Sequence, residues 1–147
     1  MKFRLIIDKS KDEEVVVTAH APSDLTDRIK ALVTENAKAE TVCAYTEDDF
    51  LLLPYARIAC ITVLDSKTFA IDEKGDYYRL KQRLYELEQT VPAGFIRINK
   101  STLANEAHLE RFTATYSGGI NAVFKNGYED YVSRRCFSHI KRRFETK

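Results

Sequence analysis

Two segments in the C-terminal part of the chain combine basic side chains with turn-forming residues. They span residues 95–105 and 125–135. Both lie where predicted elements meet, so their Lys and Arg side chains are free to extend toward a partner. Such side chains bind phosphates or the edges of bases, which is the chemistry of nucleic-acid recognition.

No arrangement of residues for catalysis or metal binding is visible. The chain lacks a Gly-x-Ser-x-Gly motif, a glycine-rich phosphate loop and a cysteine with an evident base partner. Adjacent carboxylates occur at 13–14, 48–49 and 129–130, but neighbours on a strand point to opposite faces. The cysteines and histidines are scattered, without a Cys-x-x-Cys pair: Cys43, Cys60, Cys136, His20, His108 and His139. We predict reduced thiols, no metal, no cofactor and no enzymatic activity.

The charge is distributed unevenly along the chain. Residues 1–50 hold 7 basic and 11 acidic side chains, whereas residues 95–147 hold 10 basic and 5 acidic ones. The C-terminal part therefore favours a polyanionic partner, because Lys and Arg gain affinity by neutralising phosphates. A solvated basic face is the alternative on charge alone.

Composition predicts a folded protein of one domain, or of a small domain after an added N-terminal layer. Of the 147 residues, 44% are hydrophobic and 31% charged. No apolar run reaches the roughly 20 residues of a membrane helix. The first residues lack the features of a signal peptide. We expect a cytoplasmic protein with no segment inserted in a membrane.

Residues 1–40 are predicted to form a small β-β-α layer. Residues 3–7 and 14–19 have strand composition, with a polar turn between them. Ser23 is placed to cap a helix, and Leu25, Ile29 and Val33 recur at helical spacing to about Asn36.

The remainder is predicted to be mainly β, with two short helices. Strands are predicted at residues 41–45, 49–53, 58–64, 68–71, 77–79, 95–98, 108–116, 120–125 and 128–133. A stripe of Leu80, Leu84, Leu87 and Val91 predicts a helix before Pro92. Asn126-Gly127 predicts a hairpin, and a terminal helix carries Phe137 and Ile140.

These patterns resemble the LytTR family of bacterial DNA-binding domains. The matching residues are Phe95-Ile96-Arg97-Ile98 with Ser101 and Asn105, then Asn126-Gly127, then Val132-Ser133-Arg134-Arg135. Upstream, residues 65–69, 78–81 and 84–88 are similar to the strand, turn and helix of that family. The resemblance covers roughly residues 41–147.

The resemblance implies a mainly β, α+β fold: an elongated stack of mostly antiparallel β-sheets that reads DNA through loops. The first turn and the final strand-to-helix turn would enter successive major grooves. The middle turn would lie at the minor groove and backbone. The matching positions in this sequence are about Lys67, Lys100 and Arg135.

The resemblance gives these residues different roles. A guanidinium at Arg135 would grip guanine O6 and N7 through two hydrogen bonds; the alternative is a solvated arginine at a helix start. Lys100 stands where some members have an amide, which favours a phosphate contact. The position of Lys67 can shift by one residue, onto Ser66 or Thr68.

Neighbouring residues would supply further contacts to the DNA backbone, which set the register of the protein on the duplex. They are Asn99, Ser101 and Arg134. Ser133 is either such a contact or the cap of the last helix.

The chain resembles the stand-alone branch of the family, which has no receiver domain and whose members are controlled by a membrane protein encoded nearby. The N-terminal layer is then a candidate dimerisation or regulatory surface. We expect a homodimer on repeated promoter half-sites, because one module contacts few bases. The alternative function is a β-rich adaptor module whose basic edge binds an acidic protein.

Overall fold

The computed structural model describes residues 2–36 and 40–145. The chain forms two compact units, residues 1–37 and 38–147. None of the described helices is both long enough and apolar enough to span a membrane.

In its described residues, 2–36, the first unit contains one helix, α1 (Asp24–Asn36). The predicted cap is present, because the Ser23 Oγ accepts a hydrogen bond from the Thr26 N–H at 3.3 Å. Val15 and Val17 line a shallow groove together with Ile29 and Val33 of the helix. The apolar side chains on one face of α1 therefore pack against the preceding segment, as expected for an amphipathic helix.

The prediction of two strands in the first unit is wrong. Within the described residues 2–23 the chain turns at Asp8–Lys11 through a bond of 3.3 Å, but no strand ladder forms. Phe3 is 91% exposed and Ile7 83% exposed, so these apolar side chains are not packed into a core of the first unit. An isolated two-stranded hairpin is marginal in water, and strand composition alone does not produce one.

Over the described residues 40–145, the second unit holds ten strands, two α-helices and two short 3-10 turns. Their bounds are β1 (Thr41–Tyr45), β2 (Phe50–Pro54), the turn Tyr55–Arg57, β3 (Ile58–Leu64), β4 (Lys67–Asp72), β5 (Tyr77–Leu80), α2 (Leu84–Thr90), β6 (Phe95–Asn99), β7 (Thr102–Asn105), the turn Glu106–His108, β8 (Leu109–Ala114), β9 (Ile120–Phe124), β10 (Glu129–Val132) and α3 (Arg134–Glu145). The predicted class, mostly antiparallel β with short helices, is confirmed.

The strands form two antiparallel sheets. The larger has seven strands in the order β2-β1-β5-β4-β3-β7-β6, and the smaller has the order β10-β9-β8. One core lies between the larger sheet and α2, around Ile61, Leu84 and Leu87. The second core lies between the larger sheet, the smaller sheet and α3, around Phe124 and Ile140. The centre of the larger sheet is thus covered on both faces, which explains the continuous apolar run of β3.

Apart from shifts of one or two residues at strand ends, the second unit differs from the sequence prediction in three features. Leu80 ends β5 instead of starting a helix, and α2 begins at Leu84. The prediction missed β7, because all four of its residues are buried and it shows no polar alternation. The predicted hairpin at 126–127 forms, but its loop has three residues, with Gly127 at φ 91° and Asn126 bonded to the Asp72 carbonyl at 2.9 Å.

Candidate nucleic-acid interface

Residues 64–67 form the first turn, between β3 and β4. Asp65 and Ser66 have φ of 51° and 65°, and Leu64 pairs with Lys67 across the hairpin. Two consecutive left-handed residues are typical of the two-residue turn whose twist matches the flanking strands. Lys67 is exposed at the end of this hairpin.

Residues 99–102 form the middle turn, between β6 and β7. The Asn99 carboxamide oxygen accepts the Ser101 N–H at 2.8 Å, which closes the turn from inside. The Arg97 guanidinium donates to the Lys100 carbonyl at 3.0 Å and to Glu88 at 3.3 Å. The backbone of Lys100 is therefore fixed while its side chain extends into solvent.

Residues 132–135 form the helix junction, where β10 passes into α3. The Ser133 Oγ accepts the Cys136 N–H at 3.2 Å, and the Ser133 carbonyl accepts the Phe137 N–H at 2.8 Å. Ser133 is therefore the helix cap, one of its two predicted roles. This cap places Arg134 and Arg135 in the first helical turn, with both side chains exposed.

Backbone bonds join the three turns to one another. The Val63 N–H, beside the first turn, donates to the Ser101 carbonyl at 2.9 Å. The Ser133 N–H, in the helix junction, donates to the Ile98 carbonyl at 2.9 Å. The Asn99 amide adds a bond of 2.8 Å to the Tyr131 carbonyl. The first turn, the middle turn and the helix junction consequently lie side by side; we call them together the three-turn edge.

A chain of side-chain hydrogen bonds, which we call the polar bridge, connects the strands beneath these turns. Thr102 donates to the Asp130 carboxylate at 2.6 Å, and its Oγ1 lies 2.8 Å from that of Thr62. Since the Thr102 proton is used by Asp130, Thr62 must donate to Thr102. The bridge therefore joins β3, β7 and β10, one strand from each part of the three-turn edge.

Burial around the polar bridge changes the titration of two neighbouring side chains. Burial, and then the Asp130 charge, raise the pKa of Tyr128 to about 12. The same two causes, in the same order, raise the pKa of the Cys60 thiol. Both groups are therefore neutral at physiological pH.

The cations of the three-turn edge are unpaired. Within the described residues no carboxylate lies within 4.0 Å of Lys67, Lys100, Arg134 or Arg135. Other basic side chains are paired, for example Arg97 with Glu88 at 3.3 Å and Arg143 with Glu106 at 3.0 Å. The edge thus presents fixed backbones with free positive side chains, an arrangement suited to a polyanion.

The structure brings the predicted site residues together but separates their roles. Lys67, Lys100, Arg134 and Arg135 are exposed, and Ser101 is partly exposed. Asn99 is only 1% exposed, and both ends of its amide are occupied within the protein. Asn99 is therefore not available for the predicted DNA contact. Its side chain instead holds the middle turn in position against β10.

Sequence reasoning missed the residues that hold the edge in place. Asp130 was considered only as one of two adjacent carboxylates, although it accepts hydrogen bonds from Thr102 at 2.6 Å and from the Tyr131 N–H at 2.8 Å. Arg97 was noted only as part of a motif. The bonds of the polar bridge join residues 28 and 40 positions apart, so local pattern carried no signal for them.

Comparison with known proteins places this arrangement in context. A solved LytTr DNA-binding domain from Bacillus cereus, part of a protein described as a methyl-accepting/DNA response regulator, superposes with a TM-score of 0.65 at 23% identity. The match covers 71% of this chain and 95% of that domain. The LytTr-like fold is thereby confirmed.

Curated relatives match over a longer span. Two Staphylococcus aureus proteins, from strains MSSA476 and NCTC 8325, are each 30% identical over 146 residues, which is 97% of either chain. Both are named uncharacterized HTH-type transcriptional regulators. In the described part of this chain, however, strands separate every pair of successive α-helices, so no helix-turn-helix is formed there.

The family model of the LytTr DNA-binding domain matches residues 48–145, the segment that carries all three turns of the edge. This chain belongs to the LytTr DNA-binding domain family.

Proposed function

We propose that this protein is a sequence-specific transcriptional regulator that reads duplex DNA with the three-turn edge. The observation that carries the proposal is the row of unpaired, exposed cations on backbones fixed by hydrogen bonds. The names of the Staphylococcus aureus relatives support a role in transcription. The place of action is the cytoplasm, where bacterial DNA lies.

The residues of the edge divide between base and phosphate contacts. We propose that Arg135, the second residue of α3, grips a guanine with both arms of its guanidinium. Lys67, Lys100, Ser101 and Arg134 contact phosphates and set the register. Within the described residues the N–H groups of Arg134 and Arg135 have no partner, and such groups favour a phosphate at a helix start.

Affinity then requires more than one copy, because a single module contacts few bases. We propose a homodimer on repeated promoter half-sites, with a membrane protein as its regulator. The family resemblance supports control by a membrane protein. The dimer is supported by the gain in affinity when two linked modules bind neighbouring half-sites.

Titration of the fragment upstream of the protein's own gene, compared with a random duplex of equal length, tests the function. We expect preference for the upstream fragment and a logarithm of affinity that falls linearly with the logarithm of salt concentration. If the protein is instead an adaptor that binds an acidic protein, it should bind both duplexes weakly. Weak binding to both duplexes would therefore contradict the proposal.

A further inference from the structure

Strand β2 forms one edge of the seven-stranded sheet, and within the described part of the second unit its one neighbouring strand is β1. Its pairing with β1 fixes the direction of each backbone group. The Tyr55 N–H donates to the Glu40 carbonyl at 3.0 Å, and the Thr46 N–H donates to the Asp49 carbonyl at 2.8 Å. In an antiparallel pair such positions alternate along the strand. The backbone N–H and C=O groups of residues 51 and 53 therefore face β1, and those of residues 50, 52 and 54 face the open edge.

The outward positions are apolar and carry few donors. Phe50 is 70% exposed and Leu52 is 67% exposed, whereas the inward Leu53 is fully buried. Pro54 has no N–H. The open edge therefore presents two backbone donors, on Phe50 and Leu52, and three carbonyl acceptors.

We infer that β2 pairs with the β2 strand of a second copy of this chain, antiparallel, with Leu52 opposite the second copy's Leu52. In that register Leu52 exchanges two hydrogen bonds with its counterpart, and each Phe50 N–H donates to the opposite Pro54 carbonyl. All four donors of the two edges are used, and the missing N–H of Pro54 leaves no donor unpaired. The two sheets become one across a twofold axis.

Side chains match in the same register. Leu52 lies against Leu52, and Phe50 lies against Pro54, on the exposed face of the joined sheet. No charged side chain occurs in Phe50–Pro54, so like charges do not meet at the axis.

The flanks of β2 are complementary in charge when one copy is inverted. The turn before β2 carries Glu47, Asp48 and Asp49, all exposed. Beyond its end lies Arg57, whose side chain is 43% exposed. Continuing the register places the acidic turn of one copy beside Arg57 of the other. Arg57 already binds Glu73 at 3.0 Å and lies 3.6 Å from Asp72, but its guanidinium has five N–H groups and keeps donors for a further carboxylate.

This pairing leaves the proposed DNA surface free. The middle turn follows β6, which is the opposite edge of the sheet, and five strands lie between β2 and β6. The inference rests on the homodimer of the proposed function, for which it supplies an interface, but it does not require DNA. A monomeric wild type that still prefers the upstream fragment would end the pairing and leave DNA recognition standing.

Sedimentation equilibrium of the full chain, with and without Leu52→Asp, tests the pairing. We expect a dimer of the 16.9 kDa chain for the wild type and a monomer for Leu52→Asp, with an unchanged far-UV circular dichroism spectrum. Tyr116→Asp is the matched control, because Tyr116 is an exposed aromatic residue outside β2, and it should leave the dimer intact. A monomeric wild type would overturn the inference. So would a Leu52→Asp dimer, which would place the interface elsewhere, residues 2–36 included.

Disulfide trapping tests the register. Cys43 pairs with Leu52 inside one copy, so the background carries Cys43→Ser and Cys136→Ser, while the fully buried Cys60 is kept. Leu52→Cys should form a covalent dimer under mild oxidation. Phe50→Cys should not form one, because in this register the two Phe50 positions are four residues apart along the strand direction. That distance is about 14 Å, too far for a disulfide. Equal crosslinking of both variants, or crosslinking of Phe50→Cys alone, would refute this register.

Discussion

Replacing Thr102 by valine removes the central hydroxyl of the polar bridge while preserving its shape. Thr102 is fully buried, and it bonds Asp130 at 2.6 Å and Thr62 at 2.8 Å. A hydrogen bond to a charged group contributes about 1.5–3 kcal/mol, and one between neutral groups contributes about 0.5–1.5 kcal/mol. We therefore expect Thr102→Val to lower the free energy of unfolding by about 2–4.5 kcal/mol.

The same variant should weaken recognition of a specific DNA site. The polar bridge joins β3, β7 and β10, so its loss lets the parts of the three-turn edge move relative to one another. If the fraction of molecules with an ordered three-turn edge falls to between about a third and a tenth, the apparent Kd rises about 3- to 10-fold. The salt dependence should not change, because no cation is removed.

Urea unfolding and fluorescence anisotropy measure the two effects. Thr102→Ser is the control, since it keeps both hydrogen bonds and loses one buried methyl group, worth about 1 kcal/mol. The reasoning is refuted if the valine variant is as stable as the serine variant and binds the specific site as the wild type does.

Three further changes separate the roles of single side chains. Arg135→Ala should lose about 1–3 kcal/mol on a specific site in a gel-shift titration; unchanged affinity and site preference would reject its role in base contact. Lys100→Ala should weaken binding to all duplexes alike and reduce the salt slope by about 0.9, whereas an unchanged slope would exclude a phosphate contact. Because burial raises the pKa of Tyr128 to about 12, the unfolded state loses that proton first, so stability should fall as pH rises from about 10 to 12. Tyr128→Phe should make this fall shallower in urea titrations, and an identical fall would contradict the assignment.

Local pattern was sufficient to predict most of the second unit. Strand β3 was predicted with its correct bounds because an apolar run between turn signals is unambiguous at that length. The first turn was predicted as the gap between the strands at residues 58–64 and 68–71, and the charge of the C-terminal part favoured a polyanionic partner.

The rest depended on contacts distant in sequence. Burial of β7 on both faces removed the alternation that marks a strand. Asn99 had the composition of a surface turn, yet its amide bonds Tyr131, 32 residues away. In the first unit, residues 3–7 had strand composition without a partner strand. Strand pairing is a tertiary property, so composition predicts it only where a neighbour is available.

The central claim is that duplex DNA contacts the first turn, the middle turn and the helix junction together. Amide chemical shifts of the isotopically labelled chain, followed during titration with the upstream fragment, test it most directly. We predict the largest changes at residues 64–67, 99–102 and 132–136, with little change along β2. Changes concentrated on α2 or β2, with these three segments unaffected, would contradict it.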